Sequence, residues 1–444
     1  MKIFLVLISL AVSAAPAQGQ EEVCSDEDWD FRMCKKSNAL TRVTHDASIF
    51  SGKSFYKTLS GITAINEDAF DTLDLERLVL TFSERDGDET PPPAVSIKPN
   101  TLVGLANLRE LSIGGGRIDS NGGILALPRS LVSLKFRTCG FTEVPTETLS
   151  AVPNLEELSL EGNDIRSVKP DAFAGLTSLK TLDLSRNRVK KLHDGCFNQL
   201  GNLESLNLVQ NMIAPAPGLL RGLNKLKKLY MSDAFNLAGF QPYLLEDVPA
   251  LKVLYLGFNR MSSLQAGMFD ALHGLEDLSL YGNLLQHVPR GVFDTLGSLN
   301  ELSLADNRIE TIEPGAFSGL NLTRLVLSLN NIKTIETGTF SNLNVSNRLV
   351  LRKNLISDVK PRAFRKLTTR QLDLTENKLT KVDADDFAGL TARELDLSSN
   401  RITAVAPDAF IYARIDVLGL FLNPIAGVDK NGWGLQESVE ILWR

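Results

Sequence analysis

The sequence contains few of the residues that build metal centres and hydrolytic active sites. Its 444 residues include four cysteines and four histidines. No HExxH motif and no paired Cys/His spacing occurs, which argues against a zinc site. The histidines occupy unrelated positions in the chain and are not expected to converge: His45, His193, His273 and His287. We therefore expect no catalytic residues, no metal, no cofactor and no enzymatic activity.

Basic residues are outnumbered by acidic ones, and long hydrophobic runs are scarce. Residues 1–19 predict a secretory signal peptide, with Lys2, an apolar stretch at 3–12 and a small-residue cleavage site. That stretch has about ten residues, whereas a membrane span needs about twenty. Removing Lys2 leaves 46 of the 47 basic residues against 53 acidic ones, a net charge of −7. We therefore expect a secreted, extracellular protein without membrane insertion or a nucleic-acid partner.

A repeat with the pattern LxxLxLxxNxL runs along most of the chain. Leu155, Leu158, Leu160, Asn163 and Ile165 form one clear copy, and the next begins 24 residues later. The Asn amide is expected to be buried, where it can satisfy backbone groups that would otherwise lack partners. The marker positions are Ser83, Gly116, Cys139, Asn163, Asn187, Asn211, Ala234, Asn259, Asn283, Asn307, Asn330, Asn354, Asn377, Asn400 and Asn423.

A second series of residues, ten positions after most markers, confirms the register of the repeat. We expect these phenylalanines to stack along the side opposite the strands, with Trp433 as the terminal member. They are Phe173, Phe197, Phe269, Phe293, Phe317, Phe340, Phe364, Phe387 and Phe410.

These copies resemble the 24-residue leucine-rich repeats of secreted animal proteins. Similar repeats occur in Toll-receptor ectodomains, small leucine-rich proteoglycans and arthropod immune proteins. The resemblance implies a right-handed α/β solenoid, or horseshoe, with a parallel concave sheet and about 15 coils. It further implies a binding protein that acts in innate immunity or the extracellular matrix, although this fold alone specifies no ligand.

The expected organisation has four parts. Residues 1–19 form the signal peptide, 20–74 an N-terminal cap with a first divergent coil, 75–430 the solenoid, and 431–444 a cysteine-free C-terminal cap. In a secreted chain, Cys24 and Cys34 are expected to form a disulfide in the N-terminal cap. Cys139 and Cys196 are expected to be buried, unreactive thiols.

Residues between the inward-facing leucines should face the concave groove, since strand side chains alternate. Tyr230, Tyr255, Phe258 and Tyr281 fall at such positions in three adjacent coils. Clustered exposed aromatics are typical anchors of protein interfaces. The alternative is that tyrosines simply suit the surface of a strand.

Basic residues follow this cluster between two acidic blocks. Arg324, Arg348, Arg352 and Lys353 lie at concave positions, where they could select a partner of complementary charge. A solvated polar face explains the pattern equally well. A sulfated glycan is a lesser alternative for this block, because acidic neighbours surround only four cations.

Three further features bear on partners. Asn321 and Asn344 begin N-glycosylation sequons at nearly the same place on adjacent coils. The acidic, proline-rich segment 84–93 is expected to project as a loop, either contacting a ligand or merely tolerated. The sequence thus favours a recognition module that binds an extracellular protein through its concave face. The alternative is a structural or carrier subunit, and a homodimer remains open.

Overall fold

The computed structural model describes residues 22–28, 31–45, 53–82, 94–119, 124–235 and 239–443. The predicted signal peptide at 1–19 and the predicted loop at 84–93 lie outside these residues. The chain is a parallel-strand solenoid of about 16 turns. This agrees with the predicted array of coils preceded by one divergent coil. The chain divides into two compact units, residues 1–214 with 218–226 and residues 215–217 with 227–444.

Unit 1 contains fifteen of the described strands, one short α-helix and one 3-10 helix. The α-helix is Thr146–Leu149 and the 3-10 helix is Glu67–Phe70. The strands are β1 (Val23–Asp28), β2 (Phe31–Lys36), β3 (Ala39–His45), β4 (Ser54–Thr58), β5 (Ala64–Ile65), β6 (Arg77–Thr81), β7 (Ala94–Ile97), β8 (Glu110–Gly114), β9 (Arg117–Asp119), β10 (Ser133–Arg137), β11 (Glu157–Ser159), β12 (Ser167–Val168), β13 (Thr181–Asp183), β14 (Lys191–Leu192) and β15 (Ser205–Asn207).

Unit 2 contains sixteen described strands and a 3-10 helix at Pro242–Leu245. The strands are β16 (Lys228–Tyr230), β17 (Val253–Tyr255), β18 (Asp277–Ser279), β19 (His287–Val288), β20 (Glu301–Ser303), β21 (Thr311–Ile312), β22 (Asn321–Val326), β23 (Thr334–Ile335), β24 (Asn344–Val350), β25 (Asp358–Val359), β26 (Leu367–Asp373), β27 (Lys381–Val382), β28 (Leu390–Asp396), β29 (Ala404–Val405), β30 (Arg414–Gly419) and β31 (Glu440–Leu442). Helix is therefore a minor part of both units, and turns with two-residue strands form most of the side opposite the main sheet.

Each unit has one main parallel sheet in which every coil adds a strand. In unit 1 its order is β4, β6, β8, β10, β11, β13, β15, and in unit 2 it is β16, β17, β18, β20, β22, β24, β26, β28, β30, β31. In most strands of the main sheets a central leucine pairs in register with its neighbour, as Leu254 does with Leu278. These leucines are fully buried, so the core is a continuous apolar column behind the sheet.

The repeated asparagines bridge neighbouring coils through buried hydrogen bonds. In Asn187, the side-chain Oδ1 accepts the N–H of Ile165 at 3.1 Å. Its Nδ2 donates to the carbonyls of Leu160 and Leu184 at 2.9 and 3.0 Å. The expected role of this residue in satisfying orphan backbone groups is therefore confirmed. Where the marker is Ala234, its backbone N–H is satisfied by Asn259 of the next coil.

The predicted phenylalanine series forms two stacked columns, one in each unit. Phe173 and Phe197 stack in unit 1 with ring centroids 6.3 Å apart. In unit 2 each successive pair from Phe269 to Phe410 stacks at 5.7–6.3 Å with nearly parallel rings. Trp433 is buried, and its carbonyl accepts the N–H of Phe410 at 3.0 Å.

The two ends of the described chain differ in construction. At the N-terminal end, β1, β2 and β3 pair antiparallel, and Cys24 and Cys34 form a disulfide across β1 and β2. At the C-terminal end, β31 pairs parallel with β30, and Ile441 lies beside Leu418. Cys139 and Cys196 are buried free thiols, and burial raises the pKa of Cys196 to about 12. No helix among the described residues is long and apolar enough to cross a membrane.

Candidate binding surface

The side chains that flank the central leucines form an outward surface, which we call the sheet face. Strand alternation places them there because the leucine between each pair points into the core. In unit 2, Tyr230 and Tyr255 occupy the same position on the adjacent strands β16 and β17. The sheet face therefore carries the predicted aromatic residues of these two strands.

Tyr230 and Tyr255 form an edge-to-face pair with ring centroids 5.2 Å apart. Both are half-buried. The Tyr255 hydroxyl donates to Asp277 Oδ2 on the next strand at 2.8 Å. Burial and this bond raise the pKa of Tyr255 to about 12. This pair is consequently a partly buried platform whose Tyr255 hydroxyl already has a partner.

Phe258 and Tyr281 form a second edge-to-face pair, with centroids 5.1 Å apart. They lie just beyond β17 and β18, in the turns that follow the strands, and so stand at the margin of the sheet face. Phe258 is 49% exposed and Tyr281 37% exposed. The nearby Asp306 raises the pKa of Tyr281. We call the four residues of both pairs the aromatic patch, of which Phe258 and Tyr281 are the accessible part.

The backbone of Phe258 is held in a conformation that bulky residues rarely adopt. Its φ is +56°, in the left-handed region. Many coils need this conformation at the position before the marker, where Gly162 and Gly282 also have positive φ. Gly282 leaves the space that the Phe258 ring fills, since a Cβ there would lie 2.5 Å from a ring atom. Phe258 therefore combines a positive φ with an exposed apolar side chain, a cost to stability that Leu329 and Leu422 also carry at the same position of other coils.

The predicted basic block divides into two groups in the structure. Arg324 and Arg348 lie side by side on β22 and β24 of the sheet face. Arg352 instead pairs with Glu376, its Nε donating to Oε1 at 2.7 Å, and Lys353 lies 3.8 Å from the same carboxylate. Arg352 and Lys353 thus share one carboxylate of the protein, whereas the side chains of Arg324 and Arg348 have no carboxylate partner among the described residues.

Two arginines not singled out from the sequence join Arg324 and Arg348. Arg370 and Arg393 lie on β26 and β28, two positions before the central leucine, and both are exposed. The four arginines line a groove of about 880 Å³, which we call the arginine groove. Its remaining lining residues are Glu301, Asn347, Gln371, Glu394 and Val417.

The strand lengths explain why Arg370 and Arg393 were missed. Strands β22, β24, β26, β28 and β30 have six or seven residues, whereas β11 to β20 of the main sheets have three. The longer strands belong mostly to coils of 23 residues, in which the chain enters the strand earlier. The shortened period is visible in the sequence and could have indicated that residues further from the leucine join the surface.

Comparison with known families identifies the repeat from which this solenoid is built. A leucine-rich repeat model matches six overlapping segments that together span residues 129–402 without a gap. This span is more than half of the chain. The chain belongs to the leucine-rich repeat family. No curated protein sequence matches it significantly.

Solved leucine-rich repeat structures show the same fold at low sequence identity. A leucine-rich repeat protein of Leptospira interrogans is 23% identical with a TM-score of 0.56, covering 77% of this chain and 92% of its own. TLR13, solved in complex with ssRNA13, is 22% identical with a TM-score of 0.53, covering 86% of this chain, which spans 59% of TLR13. Drosophila Toll, solved in complex with Spatzle, is 20% identical with a TM-score of 0.52, covering 93% of this chain and 68% of Toll.

The two sequons lie at the beginning of long repeat strands beside the arginine groove. Asn321 and Asn344 are paired in register on β22 and β24, and both are exposed. Asn344 Nδ2 lies 3.5 Å from Asn321 Oδ1. Sugars attached here would stand at the edge where the strands begin, on adjacent coils.

One group of possible metal ligands occurs in the described part of the chain. Glu22, Cys24 and Cys34 place their ligand atoms within 4.8 Å of one another. Both cysteines are oxidised to the disulfide, so neither offers the thiolate that a metal would require. With the disulfide formed, these residues are a structural part of the N-terminal cap.

Proposed function

We propose that this protein is a secreted, non-catalytic recognition module whose unit 2 sheet face binds another extracellular protein. The observation that carries the proposal is the exposed pair Phe258 and Tyr281, which adjoins the half-buried pair Tyr230 and Tyr255. Rigid aromatic side chains bury large areas with little loss of conformational freedom, so they anchor protein interfaces. We propose innate immunity or extracellular matrix organisation as the biological process in which this binding takes place.

The backbone strain at Phe258 supports a binding role for the aromatic patch. Glycine would adopt the positive φ at this position without steric cost, as it does at Gly282. A bulky apolar residue held in that conformation and half-exposed has a cost that a bound partner can offset by covering the ring.

Solved structures of the same fold are described in complex with macromolecules, and the N-terminal sequence is consistent with an extracellular setting. Toll is described in complex with Spatzle and TLR13 in complex with ssRNA13. The predicted signal peptide at 1–19, the disulfide between Cys24 and Cys34, and the sequons at Asn321 and Asn344 are consistent with passage through an oxidising secretory compartment.

Affinity capture from native extracellular fluid tests the proposal. The mature wild type would be compared with a Phe258→Ser/Tyr281→Ser variant and with Tyr412→Ser as a matched control. Tyr412 is 67% exposed but lies outside the sheet face. We expect a protein that wild type and the control retain and that the folded double variant loses. Equal capture by all three proteins would contradict the proposal.

The identity and stoichiometry of the captured protein separate recognition from a carrier role. A partner present only under particular conditions indicates recognition. A constant companion at fixed stoichiometry indicates the structural or carrier role. Circular dichroism of each variant controls for folding, since both substitutions are at exposed positions.

A further inference from the structure

The arginine groove holds positive charge that the protein does not neutralise. The side chains of Arg324, Arg370 and Arg393 have no hydrogen-bond or ion-pair partner among the described residues. Arg348 Nε donates to Gln371 Oε1, a neutral acceptor. Four exposed guanidinium groups on four successive strands thus remain available to an external anion. Each offers a planar fork of donors that suits a carboxylate, a sulfate or a phosphate.

Acidic side chains limit the length of this cationic surface. Glu301 borders the groove on β20, one strand before Arg324, whereas Glu394 lies on β28, the strand that also carries Arg393. The exposed Asp416 on β30 lies one strand beyond Arg393 and next to Val417, which lines the groove. With strands about 4.8 Å apart, four strands give a cationic length of about 15 Å. The site is therefore a short positive segment with a negative boundary at each end.

This charge pattern selects against a long polyanion. A nucleic acid or an extended sulfated glycan that crossed the groove would also meet the acidic residues at both ends, where like charges repel. An extended peptide rises about 3.3 Å per residue, so about four or five residues fit the cationic length. Basic residues on either side of such a segment would meet Glu301 and Asp416 favourably.

We propose that the arginine groove binds an acidic peptide segment of about four residues, flanked by basic residues, on the surface of the partner protein. This inference deepens the proposed function and rests on it. The aromatic patch supplies apolar anchoring, while the groove supplies charge selection through carboxylate–guanidinium hydrogen bonds. The partner is thereby defined by a pattern of opposite charges in a defined order.

Binding of defined probes to the full mature protein tests this order of charges. Fluorescence anisotropy at low ionic strength would compare the peptide Lys-Glu-Glu-Glu-Glu-Lys with Glu-Glu-Lys-Lys-Glu-Glu, which has the same composition and net charge. A heparin-derived octasaccharide and a single-stranded RNA serve as competing classes. We expect the first peptide to bind at least tenfold more tightly than the second, with affinity falling as salt increases.

Paired substitutions assign this binding to the groove. Arg324→Gln/Arg370→Gln should weaken the first peptide at least tenfold. Arg308→Gln/Arg401→Gln removes the same charge from exposed turn positions outside the groove and should change affinity less than threefold. Equal affinity for the two peptides would overturn the proposal. So would equal loss in both variants, or tighter arginine-dependent binding of the glycan or the RNA.

The two proposals fail in different ways. If partner capture depends on Phe258 and Tyr281 but is unaffected by Arg324→Gln/Arg370→Gln, the proposed function stands and the acidic-segment inference is wrong. If the acidic peptide binds in the groove but no protein is captured through the aromatic patch, the aromatic-anchor function is wrong and only the anion selectivity of the groove survives. If neither the capture nor the peptide binding responds to these substitutions, both proposals are wrong.

Discussion

The main sheets of the two units treat positive charge differently. In unit 1, Arg77 forms two hydrogen bonds with Glu110 of the adjacent strand, one of them 2.7 Å long. Lys135 pairs with Glu157 at 2.8 Å. In unit 2, the side chains of Arg324 and the other groove arginines have no carboxylate partner among the described residues, and the aromatic patch lies on the same main sheet and at its margin. The same repeat therefore supports one face with matched charges and another with unmatched ones.

This difference separates the scaffold from the surface. Exposed ion pairs contribute about 0–1 kcal/mol each, so the pairs of unit 1 add little to stability. Their main consequence is that these paired cations present little net positive charge to a binding partner. The leucine column and asparagine bridges occur in both units, whereas the unmatched arginines and the aromatic patch belong to unit 2. Unit 1 also exposes an aromatic residue on its main sheet, Tyr56, but its hydroxyl accepts a hydrogen bond from Arg77 at 3.0 Å. We therefore expect binding where the surface charges are not paired within the protein, that is, in unit 2. The leucines and asparagines that maintain the fold are the same in both units.

The largest expected effect comes from removing the shared scaffold. Asn187→Ala in unit 1 and Asn307→Ala in unit 2 each remove a buried amide that bonds to one backbone N–H and three carbonyls. Leaving such groups unsatisfied should cost about 3 kcal/mol in either unit. Urea denaturation followed by circular dichroism measures this loss.

If both units share the same scaffold, Asn187→Ala and Asn307→Ala should lower the free energy of unfolding by similar amounts. Hydrogen exchange localised to each coil shows whether the destabilisation stays near the substituted residue, as expected for an array stabilised by its neighbours. A much smaller cost at Asn307 than at Asn187 would show that the scaffold also differs between the units.

A single substitution should give one arginine of the unit 2 groove a carboxylate partner, as Arg77 of unit 1 already has. Gln371→Glu introduces a carboxylate where Arg348 already donates to a neutral amide. The new charge should weaken acidic-peptide binding about tenfold, equivalent to about 1.4 kcal/mol. Gln371 also donates to Glu394 Oε1 at 2.9 Å, so the loss of that bond offsets the new ion pair and the free energy of unfolding should change by less than about 1 kcal/mol. Fluorescence anisotropy and thermal melting give the two readouts.

The reciprocal change in unit 1 is the control. Glu110→Gln releases Arg77 from its carboxylate partner without building a groove around it. We expect no acidic-peptide binding to appear at this site. If a single released arginine were sufficient, the arrangement of four arginines on successive strands would not be the source of selectivity.

The sequence predicted the scaffold better than the surface, for physical reasons. Asn163 and Phe293 belong to periodic series, and periodicity identifies residues whose environment repeats in every coil. Tyr255 was placed correctly on the strand by side-chain alternation. The left-handed backbone of Phe258 and its packing against Gly282 depend on the geometry of successive turns, which the pattern does not specify.

The charged residues illustrate a second limit. Arg352 and Glu376 are nearly one repeat apart, so their pairing could have been inferred by aligning the coils. Arg370 required knowledge of where the strand begins, because only the longer strands bring that position into the surface. Residue spacing gives the coil in which a side chain lies, whereas local strand length decides whether it reaches the groove.

The third prediction concerns pH and again contrasts the units. In unit 1, Arg77 holds the pKa of Glu110 below its usual value, so this pair loses its contribution when the pH falls below about 4.5. In unit 2, burial raises the pKa of Asp386 to about 6. The folded state then binds a proton more readily than the unfolded state, and stability should increase as the pH falls from 7 to 5.

Asp386→Asn isolates this contribution. The Asp383 N–H that bonds to Asp386 Oδ2 can bond equally to the amide oxygen of asparagine. The variant should lack the gain, which we expect to be at most about 1 kcal/mol after solvent screening. Thermal melting at pH 5, 6 and 7 measures it. An equal pH response in wild type and variant would assign the effect to other groups.

The smallest expected change in stability comes from replacing residues with a positive φ by glycine, which tests whether the backbone strain at Phe258 is linked to binding. Gln210 of unit 1 occupies the same position before the marker, with φ +54° and an exposed side chain. Gln210→Gly should stabilise the fold by about 1 kcal/mol, because glycine tolerates a positive φ. Phe258→Gly gains the same backbone relief but loses its ring contact with Tyr281, about 0.5–1.5 kcal/mol, so its net change should be near zero.

Thermal melting and partner capture together decide the interpretation. Gln210→Gly should raise the melting temperature and leave capture unchanged, whereas Phe258→Gly should leave the melting temperature nearly unchanged and abolish capture. If Phe258→Gly strongly destabilises the protein, the ring is a structural element and its exposure has no functional meaning. If it retains both stability and capture, the strain at Phe258 is incidental, and the unmatched surface of unit 2 is reduced to its arginines.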